Sequence, residues 1–263
     1  MDFIAIIGII LLGLVLARAV PDIFVHPGTY LQPEAALLVF GGVVALFIIA
    51  STMKDIKNTL GALRILFRGG KAATSREIVD KLVELSIVSQ RDGRGALEGA
   101  GEGFDDGFLN NGLQMIVNKL PPDFIRVVLE NEIDETETRH TANADNLKLM
   151  GALAPMLGML GTIIGIIQVL KNMKDPKTVG PAMSLALITS MYGVFISGLI
   201  MSPLANRLTK KSEEELLTKV IMVEGIIMIA KGEIPIKVET YLSGFLSRKS
   251  KKKAEDGSVK ENA

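Results

Sequence analysis

Three stretches of this chain carry no Asp, Glu, Lys, Arg or His: residues 35–53, 149–170 and 182–205. Each is long and apolar enough to cross a hydrocarbon core as a helix, which takes about 20 residues. A charged group in hydrocarbon is costly, so such runs read as membrane spans rather than as buried helices of a soluble domain. The mean hydropathy of +0.36 over 263 residues fits that reading. A fourth candidate runs from Phe3 to Ala17 and is flanked by Arg18. Ala17-Arg18-Ala19 resembles a cleavage site, but Met1-Asp2 lacks the positive charge of a signal peptide, so this segment is expected to stay as the first span. The fold class predicted is an all-α membrane protein with four transmembrane helices, the third and fourth extended into a helical cytoplasmic domain.

The spans divide the chain. Residues 1–53 hold transmembrane helices 1 and 2 with a short outer connector. Residues 54–148 form a cytoplasmic helical insertion, and 149–205 hold helices 3 and 4. A helical tail covers 206–246, and 247–263 is charged, without apolar periodicity, and expected to be disordered. Orientation follows from basic residues near span ends. Lys54, Lys57, Arg64, Arg68 and Lys71 open the insertion, and Arg207, Lys210 and Lys211 open the tail. The first connector has no Lys or Arg, whereas Lys171, Lys174 and Lys177 in the second count against the assignment. The balance places insertion, tail and both termini in the cytoplasm.

Local signals fill in the insertion. Thr74 and Glu77 have capping-box spacing. Ile78, Leu82, Leu85 and Val88 then repeat every three or four residues on one helical face. Pro121-Pro122 suits a helix start. No breaker follows from Asp123 to Met150, so this helix is expected to run directly into the third span. The tail segment is expected to continue the fourth span until Gly232 and Pro235 break it. Between the insertion's helices, "RDGRGALEGAGEGFDDGFLNNG" reads as a solvated, loop-rich tip. Asp105-Asp106-Gly107 lacks the alternating ligands of an EF-hand, and no G-K-[ST] follows the glycines.

The third span contains "GMLGTIIGIIQVL", which places Gly158, Gly161 and Gly165 beside Thr162 and Gln168. The fourth repeats the pattern with Ser184, Thr189, Ser190, Gly193, Ser197 and Gly198. Small residues let helices approach closely in lipid, so packing alone explains much of this. Serine and threonine often bond only their own helix carbonyls. Two spans with hydroxyls at mid-depth also suit the wall of a narrow path. An ion path needs a titrating group, and these spans have none, so a partner chain must supply it. With no cysteine, two histidines (His26 and His140) and no charged cluster in the spans, little catalytic material is present, and no enzyme is expected. The charges balance at 29 basic and 29 acidic, so net charge says nothing about partners; no nucleic-acid partner is expected.

Several blocks are similar to the MotA/PomA subunits of the bacterial flagellar stator, within the MotA/TolQ/ExbB group. They are residues 158–165, Asn172-Met173, Asp175-Pro176-Lys177, Gly180-Pro181-Ala182-Met183, Thr189 to Gly193, Ser202 to Ala205 and "EGIIMIAKGEIP". The resemblance implies an inner-membrane homo-pentamer around two copies of a MotB/PomB-type B-subunit, which supplies the membrane aspartate. It implies transport of H+ or Na+ without a cofactor, and a push on the rotor protein FliG. The ion-path residues implied are Thr162, Thr189 and Ser190; the hydroxyl at 189 leans toward sodium. Arg91, Arg94 and Glu98 match the rotor-contact region, with Gln90 at the family's principal basic position. Pro176 and Pro235 match its functional prolines; Gly158, Gly161, Gly165 and Gly193 are expected as helix-packing positions because they are small. The alternative implied is a TolQ/ExbB-like energiser of envelope transport, which resembles a three-span protein.

Overall fold

The computed structural model describes residues 3–19, 21, 25–68, 73–104 and 107–246. The charged tail at 247–263, Lys71, and Asp105 and Asp106 of the tip lie outside the described residues. Every regular element among the described residues is helical. In chain order these are α1 (Phe3–Ala19), α2 (Pro33–Ala50), α3 (Met53–Arg68), α4 (Ser75–Asp92), α5 (Phe108–Val117), α6 (Pro122–Lys171), α7 (Pro176–Lys231) and α8 (Pro235–Leu242). Single helical turns at Pro27–Tyr30 and Arg94–Leu97 lie between them, and one at Ser243–Phe245 follows α8.

Three described helices are long and apolar enough to cross a membrane: α2, α6 and α7. α6 runs unbroken for 50 residues and α7 for 56, so the third and fourth apolar runs do continue into polar helix. The boundaries differ from those expected: α1 reaches Ala19 rather than Ala17, and α2 begins at Pro33, two residues before its uncharged run. α2 stops at Ala50 rather than Met53, because Ser51 is extended and Thr52 starts a new helix. There Thr52 and Asp55 bond reciprocally: Asp55 N–H donates to Thr52 Oγ1 at 3.3 Å, and Thr52 N–H to Asp55 Oδ2 at 3.0 Å. These bonds satisfy donors that the first helical turn leaves free. α7 starts at Pro176, six residues before its uncharged run, with Asp175 as N-cap. Two helices, α3 and α5, had no counterpart in the sequence reading.

Pro203, inside α7, has local compensation. Pro203 has no N–H to donate, and its ring crowds the carbonyl one turn back. The helix widens to π geometry over Ile196–Met201, just before it, and Ser202 N–H reaches back to Ser197 O.

Two compact units divide the chain: Met1–Gly70 with His140–Lys210, and Lys71–Arg139 with Lys211–Ala263. The first has a small core of Val39, Val43, Ala154, Leu157 and Ile196. Much of its apolar surface is uncovered. On α6, Met156, Met159, Ile163, Ile167 and Leu170 form an exposed stripe at three- and four-residue spacing. Such a stripe requires lipid or another chain against it. The second unit is a helical bundle with a larger core. Ile78, Leu82 and Leu85 of α4 meet Leu113 and Ile116 of α5, Ile125 and Leu129 of α6, Ile226 of α7 and Val238 of α8. The capping box of Thr74 and Glu77 fixes the start of α4.

Candidate functional site

In the first unit, α6 and α7 lie against each other with no room for side chains at the glycines. A methyl group on Gly161 would sit 2.5 Å from Thr189 Oγ1. On Gly158 it would be 2.9 Å from Thr189 O, and on Gly165 2.6 Å from Ala186 Cβ. From the other side, one on Gly193 would be 2.6 Å from Ala154 O. The glycines therefore set the helix–helix distance.

The hydroxyls come together in this seam. Thr162 and Ser190 hydrogen-bond side chain to side chain across the two helices. Thr162 Oγ1 also lies 3.0 Å from Gly158 O and 3.3 Å from Ala186 O, and Ser190 Oγ is 3.4 Å from Gly158 O. Each hydroxyl has one proton to give. Two protons are shared among these acceptors, so the pair can change bonding direction without moving heavy atoms. Thr189 is fully buried, and its Oγ1 is within 2.9 Å of Ala186 O and 3.0 Å of Leu185 O. Its hydroxyl is engaged with its own helix, and its side chain fills the space left by Gly161. Among the described residues no group of His, Asp and Glu could hold a metal ion.

At one end of the seam an open cleft of about 520 Å³ is lined by Gln32, Glu34, Gln168, Asn172, Lys177 and Thr178. Pro176, exposed, opens α7 beside it. Gln32, Ser184 and Tyr192, of which the sequence pattern singles out only Ser184 as a small hydroxyl residue, tie the segment just before α2 to α7 here. Gln32 Nε2 donates to Ser184 Oγ at 2.7 Å, Tyr192 Oη to Tyr30 O at 2.6 Å, and Gln32 N–H to Tyr192 Oη at 3.3 Å. A polar residue just before Pro33 was the signal for Gln32; nothing local marks the pairing.

In the second unit the tip residues separate by role. The Arg91 side chain is 72% exposed and pairs with its neighbour Asp92 at 2.8 Å. That contact lowers the Asp92 carboxyl's pKa and raises the Arg91 guanidinium's. Exposed pairs of this kind contribute little to stability. Glu98 is exposed. Arg94 instead turns back, and its Nη2 donates to Ala230 O at 2.8 Å. Gln90 Nε2 likewise donates to Glu233 O at 3.1 Å. Pro235, half-buried, takes the first position of α8, where a missing N–H costs nothing. Deeper in the unit, Arg126 makes a two-pronged pair with Glu224 at 2.7 and 3.1 Å, and also meets Glu130 at 3.2 Å. The Arg126 hydrogen bonds hold the Glu224 carboxyl below its ordinary pKa, against the opposing effect of burial.

The sequence pattern of the MotA/TolQ/ExbB proton channel family matches residues 100–220. Motility protein A of Bacillus subtilis (strain 168) is 33% identical over 258 residues, 98% of this chain and 96% of that protein. The chain belongs to the MotA/TolQ/ExbB family. Chemotaxis protein PomA of Vibrio alginolyticus, 28% identical, covers 84% of the chain and 86% of its own length. The flagellar MotAB stator complex from Bacillus subtilis contains a chain that superposes with a TM-score of 0.86 at 33% identity, covering 94% of this chain and 97% of that one. The family pattern spans the seam, so the closest approach of α6 and α7 falls inside the shared region. The tip at 90–98 and the elbow at 230–235 lie outside it and are matched instead by the near-full-length relative.

Proposed function

We propose that this chain is the ring-forming A-subunit of a bacterial flagellar stator. Five copies surround two MotB/PomB-type B-subunits in the inner membrane, and H+ or Na+ flow turns the ring. α1 is the fourth span, both termini are cytoplasmic, and no cofactor or enzymatic step is involved. The observation that carries this reading is the α6–α7 seam: a close-packed wall that brings the hydroxyls of Thr162 and Ser190 together and has no Asp, Glu, Lys, Arg or His of its own. Such a wall needs a titrating carboxylate from a partner, and the relatives named above are a motility protein, a chemotaxis protein and a chain of a flagellar stator complex. Thr162 and Ser190 then border the ion path, and Thr189 sets the wall's shape. Arg91, Arg94 and Glu98 belong to the end that meets FliG, while Pro176 and Pro235 mark the ends of α7, where its movement is passed on.

Deleting the gene and counting flagella by electron microscopy tests this. Intact but paralysed flagella are expected, with motility restored by the wild-type gene. Normal swimming in a strain with no second stator set would reject it. Reporter fusions after residues 25 and 175 test the topology: both should report outside. A third fusion at the N-terminus separates the readings: it should report inside for four spans, and an outside signal there would favour a three-span envelope energiser.

A further inference from the structure

The C-terminal end of α7 is where two side chains of the tip are used. Gly232 adopts φ +75° and closes the helix. Its N–H goes to Ile229 O at 3.0 Å, and Glu233 N–H goes back to Met228 O at 3.1 Å. This turn satisfies part of the last helical turn and leaves other carbonyls needing donors. Ala230 is almost fully buried, so its carbonyl cannot rely on water. Arg94 supplies the donor at 2.8 Å and also places a cation at the negative end of the helix dipole. One turn-length away, the Gln90 amide donates to Glu233 O. Two residues later Pro235 opens α8, which packs along α4 and buries Val238 and Leu242. The last turn of α4, the tip loop and the α7–α8 elbow are thus joined by two side-chain-to-backbone bonds. Arg91, adjacent to Gln90, stands in solvent, where its partner is the less exposed Asp92.

We propose that Gln90 and Arg94 are positioning residues that clasp the tip to the α7–α8 elbow, leaving outward electrostatic contact to Arg91 and Glu98. The inference rests on the stator reading and reassigns Arg94, which the family resemblance places among the rotor contacts. A neutral amide at 90 suits the clasp, since a carbonyl needs a donor and not a charge.

The test uses the full complex with its B-subunit and the variants Arg94→Ala, Arg94→Lys, Gln90→Ala and Arg91→Ala. Hydrogen exchange followed by mass spectrometry reads local opening of residues 226–246. Exchange there should rise several-fold in Arg94→Ala and Gln90→Ala, remain at the wild-type rate in Arg91→Ala, and partly recover in Arg94→Lys. In cells, rotation speed is divided by the number of motor-bound stators, counted with a fluorescent B-subunit. Speed per stator should fall in Arg94→Ala and recover in Arg94→Lys while the count holds. Charge reversal in the rotor should suppress Arg91→Glu and fail to suppress Arg94→Glu.

Unchanged exchange in Arg94→Ala, rescue of Arg94→Glu by rotor charge reversal, or a fall in stator count with speed per stator intact would each overturn the proposal. Faster exchange in Arg94→Ala, with no torque from the wild-type complex either, would support the clasp as a contact and overturn the stator reading.

Discussion

Replacing Gly161 with alanine probes the seam at the point where its geometry is tightest against a side chain. The new methyl group would lie 2.5, 2.6 and 2.8 Å from Oγ1, Cβ and Cγ2 of Thr189. Thr189 cannot turn away, because it is fully buried and its hydroxyl is bonded to the backbone of α7. Overpacking of this kind costs about 1–3 kcal/mol. Alanine also gains about 1 kcal/mol in helix propensity over glycine. Gly180→Ala isolates that gain, since Gly180 has open space around it. The difference between the two variants is then the steric cost alone. At roughly 2–4 °C per kcal/mol for a chain of this size, Gly161→Ala should melt about 2–12 °C below Gly180→Ala. The chain has no tryptophan, so melting is best followed by circular dichroism on the purified complex. A second site checks the mechanism. Thr189→Ala keeps the Cβ atom and should relieve only part of the cost, whereas Thr189→Gly removes all three contacting atoms. The Gly161→Ala penalty should largely vanish in the Thr189→Gly background, as expected for residues in direct contact. Equal melting of Gly161→Ala and Gly180→Ala, or an undiminished penalty beside Thr189→Gly, would refute the close-approach argument.

Three further outcomes follow from the same reasoning. Gly193→Ala should cost more than Gly112→Ala in the same melting assay. The first meets backbone at Ala154 O, which cannot change rotamer, whereas the second meets side-chain atoms of Ile226, with the terminal Cδ1 nearest. Thr74→Ala should destabilise the α4 start by about 1 kcal/mol through loss of its cap, read as faster hydrogen exchange at residues 75–78. Glu224 has a folded pKa below its unfolded value, so its contribution is present above about pH 4.3 and is lost as pH falls through the folded value. Glu224→Gln should therefore lower stability at neutral pH and flatten the acid limb of a stability–pH curve, while leaving stability below both pKa values nearly unchanged.

Much of the membrane architecture could be read from charge alone. The uncharged runs at 149–170 and 182–205 lie inside α6 and α7, and the lack of breakers after Asp123 foretold a helix continuing through the polar–apolar boundary. The glycines at 158, 161 and 165 announced close approach because only a missing side chain allows it. α3 was hidden because its lysines and arginines were read as a topology signal. Its Ile56, Thr59, Leu63 and Leu66 nevertheless repeat at helical spacing, with Thr59 buried and bonded to Asn146 at 2.9 Å. α5 was hidden by Asn110-Asn111-Gly112, which reads as a turn; the structure uses Gly112 instead to admit Ile226. The tasks of Gln90 and Arg94 were not legible, because their acceptors are backbone carbonyls some 140 residues away and carbonyls carry no residue identity.

The most direct measurement of torque generation is made on single motors. A bead is attached to the flagellar stub of a cell lacking the gene, and expression of this chain is then induced. If the chain is a stator subunit, rotation resumes in discrete, equal speed increments as complexes join the motor. A motor that stays still under induction, although the protein and its B-subunit are present in the membrane, would contradict it.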